Sequence, residues 1–363
     1  MSRKGNRWGG VTPGLIVFTT TLVVYLSTVS TNVGRGDTGE FQTLPYVFGI
    51  AHPTGYPTYI LLGSVFRWIP LGSYAYRINL MSAFFGSVTA YLLYRIVMKY
   101  AENVYAASAA ALTLAFSKLY WSQSVIAEAY ILNAFFLVSC LLLLLEWRDG
   151  GDNRLLYAFS ILYGIGLGNH MSLALYAPAY AFIILRRDWR VLLDGRLLKM
   201  FALFAIGASV YAYILIRDNP GTPMNYIHEF SVEHGTFNYS ENAVKDRFER
   251  LGWMVKGRQF NADELTYKRL TSTMEEQRLR ESWGRIMEQI TVFGAILCII
   301  GVSRLFMKDK PMLAATIIFF TLNTMRFGGG MYEHSIPSVI ICCIWIGFGV
   351  EQTSEYVRQR VLV

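Results

Sequence analysis

The sequence has little charge for its length. Only 16% of its 363 residues are Asp, Glu, Lys or Arg, whereas 53% are hydrophobic, and the mean hydropathy is +0.34. This composition excludes an ordinary soluble protein of one or two domains. The length allows about a dozen membrane spans of about 20 residues each, with little left for a separate soluble domain. We therefore expect an all-α polytopic membrane protein in a lipid bilayer.

Cysteine is scarce, and internal repeats are absent. Cys140, Cys298, Cys342 and Cys343 all lie inside apolar runs, which argues against a disulfide framework and a CxxC zinc site. Many secondary transporters are built from paired repeats, so the lack of a repeat disfavours that class. The net charge of +8 lies mostly between apolar runs, where basic residues set membrane orientation. We expect no nucleic-acid partner.

Apolar runs predict about ten membrane-spanning helices. They occupy residues 12–31, 76–98, 104–116, 125–145, 155–168, 171–185, 200–216, 286–302, 312–325 and 337–350. The first run follows a basic start and is interpreted as an uncleaved span that begins in the cytoplasm. Residues 60–71 form a shorter apolar run, interrupted by Arg67, which indicates a helix on the membrane surface.

Positive charge supports this topology. The predicted inner loops and tail hold most of the basic residues that flank the spans, and short outer loops are nearly free of them. These basic residues are Arg95, Lys99, Arg148, Arg154, Arg186, Arg187, Arg190, Arg196, Lys199, Arg304, Lys308, Lys310, Arg358 and Arg360. The prediction is a membrane domain at 1–350, with outer loops at 32–75 and 217–285, and a cytoplasmic tail at 351–363.

Polar side chains gather at the predicted outer ends of the helices. Such groups are costly at a membrane boundary unless they are paired or used, so a shared site is the first hypothesis. The candidates, from five segments distant in sequence, are Asp37, Glu40, His52, Tyr56, Gln123, Glu128, Asn169, His170, Arg326, Glu333 and His334.

The carboxylates carry the clearest local signals. Asp37 and Glu40 are three residues apart, so on a helix they share a face and could hold a hydroxyl for deprotonation. The same spacing is that of a capping box that starts a helix over residues 41–48. Glu128 lies within a predicted apolar span and needs a partner, for which Lys118 and Arg77 are the candidates.

Three other segments have both a structural and a functional interpretation. Residues 52–57 contain two prolines and a glycine, which make either a plain linker or a rigid turn presenting an imidazole and a phenol. Asn169 and His170 either turn a hairpin at the surface or belong to a site. Arg326, followed by glycines at 328–330, either binds a phosphate or lies in a flexible loop.

Several motifs together resemble the glycosyltransferase family that includes animal transmembrane protein 260, a protein O-mannosyltransferase, and bacterial and archaeal members. This is glycosyltransferase family 117 of the GT-C superfamily. The motifs are the stretches 36–41, 52–57, 77–82, 121–123, 128–130 and 166–170, and, more faintly, 257–260. They cover roughly the first 260 residues, and their specificity comes from their combination.

The resemblance implies a GT-C fold with surface helices in the first outer loop. Enzymes of this kind take a sugar, mannose in the named member, from a polyprenyl-phosphate carrier. They pass it to an acceptor hydroxyl, on a protein or another molecule, at the outer or lumenal face. A polytopic transporter or flippase for a lipid-linked or anionic substrate is the alternative.

The resemblance also implies roles for the candidate residues. Asp37 is expected to be the general base of an inverting transfer, and Glu40 is expected to orient the acceptor or the base. The expected contacts of the donor phosphate are His52, Tyr56, His170, Arg326 and His334, with Asn169 and Glu128 as further substrate-binding candidates. Some GT-C enzymes use a divalent metal. Asp37 and Glu40 alone are too few ligands to decide for one here.

Overall fold

The computed structural model describes residues 11–227, 246–257, 273–327 and 331–361. In these ranges the chain is helical, and strand-like pairing is confined to one bridge between Ile50 and Asn225. The helices are α1 (Val11–Thr28), α2 (Asp37–Val47), α3 (Pro57–Phe66), α4 (Tyr74–Ala101), α5 (Val104–Phe116), α6 (Lys118–Ser124), α7 (Ala129–Gly150), α8 (Asn153–Leu167), α9 (Ala177–Asp188), α10 (Gly195–Ala208), α11 (Ala212–Arg217), α12 (Arg247–Val255), α13 (Thr273–Lys308), α14 (Lys310–Phe327) and α15 (Ile336–Val361). Short 3₁₀ helices cover Met171–Tyr176, Trp189–Leu192, Ser209–Tyr211 and Tyr332–Ser335.

Five helical segments within these ranges are long and apolar enough to cross a membrane. They are Tyr74–Ala101, Ala129–Gly150, Gly195–Arg217, Arg280–Lys308 and Tyr332–Arg360. The predicted all-α membrane protein is therefore confirmed. Helices also occupy the other predicted spans, including α1, α5 and α14, but the count of ten crossings stays a prediction.

The helix ends form two polar layers. We call the layer that contains Asp37 the site layer and the opposite one the basic layer. In the basic layer, Arg148 at the end of α7 pairs with Asp309 before α14 at 2.6 Å, and Lys99 at the end of α4 pairs with Glu146 at 3.0 Å. These pairs join residues far apart in sequence, so the loops predicted to lie inside do meet in space.

Glycines allow two pairs of helices to approach closely. A Cβ atom on Gly207 of α10 would lie 2.2 Å from the carbonyl oxygen of Ile161 on α8. A Cβ atom on Gly301 of α13 would lie 1.8 Å from the carbonyl oxygen of Trp345 on α15. Small residues at such crossings are typical of helix packing in membranes, where close van der Waals contact drives association.

A chain of hydrogen bonds fixes the loop that precedes α2. Gln42 Nε2 donates to Asn79 Oδ1 at 3.0 Å, and Asn79 Nδ2 donates to the carbonyl of Ser30 at 2.7 Å. The backbone N–H of Ser30 donates to the carbonyl of Val125 at 2.9 Å. Gln42 and Asn79 are both buried, so these bonds hold the N-terminus of α2 in place against α4 and the segment before α7.

The short helix expected at residues 60–71 is α3, which ends at Phe66. It packs against α2 and α4, and large apolar side chains of α3 and of the turn after it are exposed, including Leu61, Val65 and Trp68 at 38%, 64% and 75%. Exposed apolar side chains of this size fit a helix lying at a membrane surface, and that orientation stays a prediction.

Candidate active site

Asp37 is the first residue of α2, and its side chain is open. The N-cap is Gly36, with φ of 57°, a left-handed value that favours glycine, and no side chain caps the helix. The predicted capping box is therefore wrong, because α2 begins at Asp37 rather than at Phe41. Within the described residues the Asp37 carboxylate is exposed and makes no hydrogen bond or ion pair. It can accept a proton from a bound molecule.

Glu40 and His52 form a close pair next to Asp37. One carboxylate oxygen of Glu40 accepts the backbone N–H of His52 at 2.9 Å, and the other lies 2.5 Å from His52 Nδ1. Burial lowers the pKa of His52, but the hydrogen bond to Glu40 and the charges of Glu40 and Asp37 outweigh it, so the pKa is raised overall. The pair fixes the turn at residues 52–57 against α2.

One group of side chains in the described part of the protein has the residue types and spacing to hold a metal ion. It consists of Asp37, Glu40 and His52. One ligand atom from each lies within 4.8 Å of the others. However, both oxygens of Glu40 are already hydrogen-bonded to His52, which leaves Asp37 as the unengaged ligand. A hard divalent cation needs more oxygen ligands than these three side chains offer among the described residues, so they do not form a complete metal site by themselves.

Glu128 is held by Thr38, one residue after Asp37. The hydroxyl of Thr38 donates to Glu128 Oε1 at 2.5 Å. Burial raises the pKa of Glu128 to about 7, with the hydrogen bond from Thr38 lowering it and the nearby charges of Asp37 and Glu333 raising it. Glu128 precedes α7, so this bond connects the first turn of α2 to the start of α7.

The expected basic partners of Glu128 bind elsewhere. Lys118 pairs with Glu288 at 2.8 Å, and Arg77 donates to backbone carbonyls of the turn before α4, including that of Leu71 at 3.1 Å. That part of the prediction is wrong. Thr38 was not predicted, because no spacing rule identifies a contact between residues 90 positions apart.

Four rings from distant segments form what we call the ring cluster, namely Tyr56, Tyr130, His170 and His334. The centroid of His170 lies 5.7 Å from Tyr56, 5.7 Å from Tyr130 and 5.8 Å from His334. Tyr56 in turn lies 4.9 Å from His52. The structure thus brings together predicted site residues from three segments and adds Tyr130 of α7, which was not a predicted site residue.

His170 is held in one tautomer. Its Nδ1 accepts the backbone N–H of Ser172 at 3.1 Å, so Nδ1 carries no proton and the neutral ring has its proton on Nε2. Burial, together with the nearby His334 and His52, lowers the pKa of His170 to about 3. His170 is therefore a neutral hydrogen-bond donor rather than a cation.

Asn169 and Gln123 are buried beneath the site rather than exposed in it. Both are buried, and Asn169 Nδ2 donates to the carbonyl of Ala129 at 3.1 Å, which ties the loop after α8 to the start of α7. The structure places these two residues in the support of the site, although each retains a buried side-chain oxygen with no partner in the described chain.

Arg326 ends α14 at the edge of the ring cluster. Its guanidinium lies 5.5 Å from the centroid of Phe327, which stacks on His334 at 4.4 Å. The side chain is exposed and makes no ion pair within the described residues. The glycines at 328–330, expected to help bind a phosphate, lie outside those residues.

The fold is similar to that of a solved archaeal oligosaccharyltransferase. The chain superposes on the archaeal oligosaccharyltransferase AglB from Archaeoglobus fulgidus, solved in complex with an inhibitory peptide and a dolichol-phosphate, with a TM-score of 0.54. The match covers 98% of this chain and 52% of that chain at 12% identity, so it concerns the fold alone. The predicted GT-C-like architecture is confirmed at that level.

The sequence comparisons are more particular. Residues 37–193 match the family model described as the Protein O-mannosyl-transferase TMEM260 N-terminal domain. The chain is 30% identical over 260 residues to Protein O-mannosyl-transferase TMEM260 of Mus musculus, covering 66% of this chain and 36% of that protein. For the Dictyostelium discoideum protein the identity is 28% over 199 residues, covering 50% and 23%.

These matches confirm the resemblance seen in the motifs. The chain is similar to the transmembrane protein 260 family over this part of its length, and the region that matches the family model begins at the candidate base, Asp37. The chain spans well under half the length of either curated relative.

Proposed function

We propose that the protein is a membrane glycosyltransferase that moves a sugar from a polyprenyl-phosphate-linked donor to an acceptor hydroxyl. The observation that carries the proposal is the exposed carboxylate of Asp37, which has no partner in the part of the chain that the structure describes and lies beside the Glu40–His52 pair. The relatives are named as O-mannosyl-transferases, which favours mannose and a protein acceptor. The dolichol-phosphate and peptide bound to AglB, which shares the fold, favour a lipid-linked donor.

Asp37 is the base of the proposed reaction. A general base must reach the proton it removes, and Asp37 has unengaged oxygens on the open face of α2. It takes the acceptor's proton while the acceptor oxygen attacks the anomeric carbon. The bond from that carbon to the phosphate oxygen breaks, and the electron pair leaves with the phosphate. Attack opposite the leaving group inverts the anomeric configuration.

Glu40 has a positioning role in this scheme. Both its oxygens bind His52, so it holds the turn at residues 52–57 and is not available as a second base. Thr38 and Glu128 hold the same first turn of α2 from the other side. Preorganised groups around the base lower the cost of reaching the reactive geometry.

The departing phosphate needs positive charge and hydrogen-bond donors. Arg326 keeps its charge at every relevant pH and can bond two phosphate oxygens at once. His170 offers Nε2–H, and His52 is a second imidazole beside the base. These groups lie at helix ends in one layer, which is the depth expected for the headgroup of a lipid whose tail stays in the membrane.

The proposed reaction takes place on the extracytoplasmic side. The support is charge: the opposite layer of the protein holds most of the basic residues that flank the helices, and such residues favour the cytoplasm. The site layer then faces the outside or a lumen.

The test is sugar transfer by an Asp37→Asn variant with a synthetic polyprenyl-phosphate-mannose donor. Removing a general base costs about 10²–10⁴-fold in rate, so transfer should fall by at least about a hundredfold with folding intact. Asp152→Asn is the control. Asp152 caps α8 in the basic layer by accepting the N–H of Arg154 at 2.9 Å, a bond that Asn can also accept.

Two results would contradict the proposal. Near-normal turnover of Asp37→Asn would show that Asp37 is not the base. Movement of intact donor across the bilayer by the wild-type protein, without bond cleavage, would favour the transporter or flippase alternative.

A further inference from the structure

A small cavity adjoins the ring cluster. It lies between α7, the 3₁₀ helix before α9, the end of α14 and the start of α15, and it has room for about one water-sized group. Its lining includes Tyr130, Asn133, Ser172, Phe327, Glu333 and His334. Asp37 does not line the cavity. His170 and Tyr56 of the ring cluster lie between the cavity and the Asp37 side of the site.

The cavity wall contains buried polar atoms without partners. Asn133 is 5% exposed; its Nδ2 donates to Ser172 Oγ at 3.1 Å, but its Oδ1 has no partner in the described chain. His334 Nδ1 is likewise buried and unpaired there. Glu333 makes no hydrogen bond or ion pair with the described residues. Unpaired buried polar atoms are costly, which indicates that a ligand or water completes this wall.

The chemistry of the wall selects a hydroxyl group. A hydroxyl has one proton to donate and lone pairs that accept, so it can donate to an unpaired oxygen such as Asn133 Oδ1 and accept from an imidazole N–H at the same time. An ionised phosphate only accepts, and the negative charge of Glu333 repels it. The faces of Tyr130 and Phe327 beside these groups provide apolar surface for the carbon skeleton that carries the hydroxyl.

We propose that this cavity is the part of the donor's sugar subsite that receives one hydroxyl of the transferred sugar, which donates to Asn133 Oδ1 and accepts from His334 Nδ1–H beside Glu333. The inference rests on the proposed glycosyl transfer and adds a determinant of sugar specificity to it. It assigns His334 to the sugar rather than to the phosphate. Arg326, on the other side of Phe327, keeps the phosphate role.

The test compares polyprenyl-phosphate-mannose with a series of donors that each lack one sugar hydroxyl. In the wild type, one deoxy donor should show kcat/KM about tenfold below the full donor, the effect of one lost hydrogen bond. In Asn133→Leu, kcat/KM for the full donor should fall by a similar factor. The difference in kcat/KM between the full donor and that deoxy donor should then disappear. Such non-additivity is the signature of a direct contact.

Ser139→Ala is the matched control. Ser139 lies on the same helix as Asn133, and its Oγ is also buried with no partner among the described residues, but it does not line the cavity. The ratio of kcat/KM between the full donor and each deoxy donor should be the same in Ser139→Ala as in the wild type. Glu333→Gln provides a second variant at the cavity should Asn133→Leu fold poorly, and it should also reduce the discrimination.

Donor binding to the Asp37→Asn variant gives the same comparison without turnover. Equal binding of every deoxy donor, or a deoxy penalty that persists in Asn133→Leu, would overturn the subsite and leave the cavity to water. Discrimination that follows deoxy acceptors instead of deoxy donors would overturn the assignment to the donor sugar. Failure of the proposed function is distinct, because wild-type protein would then transfer no sugar from the full donor.

Discussion

Glu128→Gln should change how the stability of the protein depends on pH. Burial raises the pKa of Glu128 to about 7 from an ordinary value of 4.5. The folded protein therefore holds the proton more tightly than the unfolded chain between these two pH values. The contribution of this proton to stability is fully present below about pH 4.5 and is lost as the pH rises to about 7.

The magnitude follows from the pKa difference. Each unit of pKa corresponds to about 1.4 kcal/mol, so the upper limit is about 3 kcal/mol between pH 4.5 and 7. Glu128 is partly exposed, and solvent screening reduces the expected free-energy change to about 1–2 kcal/mol. For a protein of this size, such a change moves the melting temperature by a few degrees.

The assay is thermal unfolding of purified wild-type and Glu128→Gln protein in one detergent at several pH values from about 5 to 8. Gln keeps an acceptor for the Thr38 hydroxyl but cannot ionise. The melting temperature of the variant should gain a few degrees over the wild type as the pH rises. Glu102→Gln, at an exposed carboxylate in the basic layer, is the control and should show a constant gap.

A constant gap between wild type and Glu128→Gln across this range would refute the reasoning. It would mean that Glu128 keeps one protonation state throughout and that its pKa in the folded protein lies outside this range. A gap of opposite sign would mean that the positive charge of His52, which lowers the pKa of Glu128, outweighs the effect of burial.

The remaining predictions concern the donor and the topology. Arg326→Ala should weaken inhibition by unmodified polyprenyl phosphate by more than His334→Ala does, because Arg326 is expected to bind the phosphate; equal inhibition of both variants would remove that role. Single cysteines placed beside Asp37, His170 and Glu333, in a cysteine-free background, should react with an impermeant thiol reagent applied from outside. Labelling beside His170 only after the membrane is opened would reverse the orientation.

Much of the fold could be predicted because a helix that crosses a membrane needs a long run of apolar residues, which is visible in the sequence. Every predicted span is occupied by helix in the described chain, and the short run at 60–71 is a short helix. The start of α2 was predicted wrongly. Asp37 and Glu40 have the spacing of a capping box that would start a helix at Phe41. Instead, Gly36 is the N-cap, with a left-handed φ, and the helix begins at Asp37, four residues before Phe41.

The site was less predictable because its contacts are non-local. The polar residues could be found individually, since each interrupts or borders an apolar run. Their pairing could not: Glu40 meets His52 and Glu128 meets Thr38 only after α2 packs between α4 and the segment before α7. Asn133 gave no signal, because one amide within a long apolar helix has no pattern that sets it apart.

The most direct test of the central claim is the fate of the donor sugar in liposomes containing the purified protein. The donor is a synthetic polyprenyl-phosphate-mannose of defined anomeric configuration, the acceptor is a hydroxyl-bearing peptide, and the product is analysed by NMR. The account predicts a new bond from the anomeric carbon to the acceptor oxygen, with inverted configuration, that is lost in Asp37→Asn. Retained configuration, or a donor that crosses the bilayer unbroken, would contradict it.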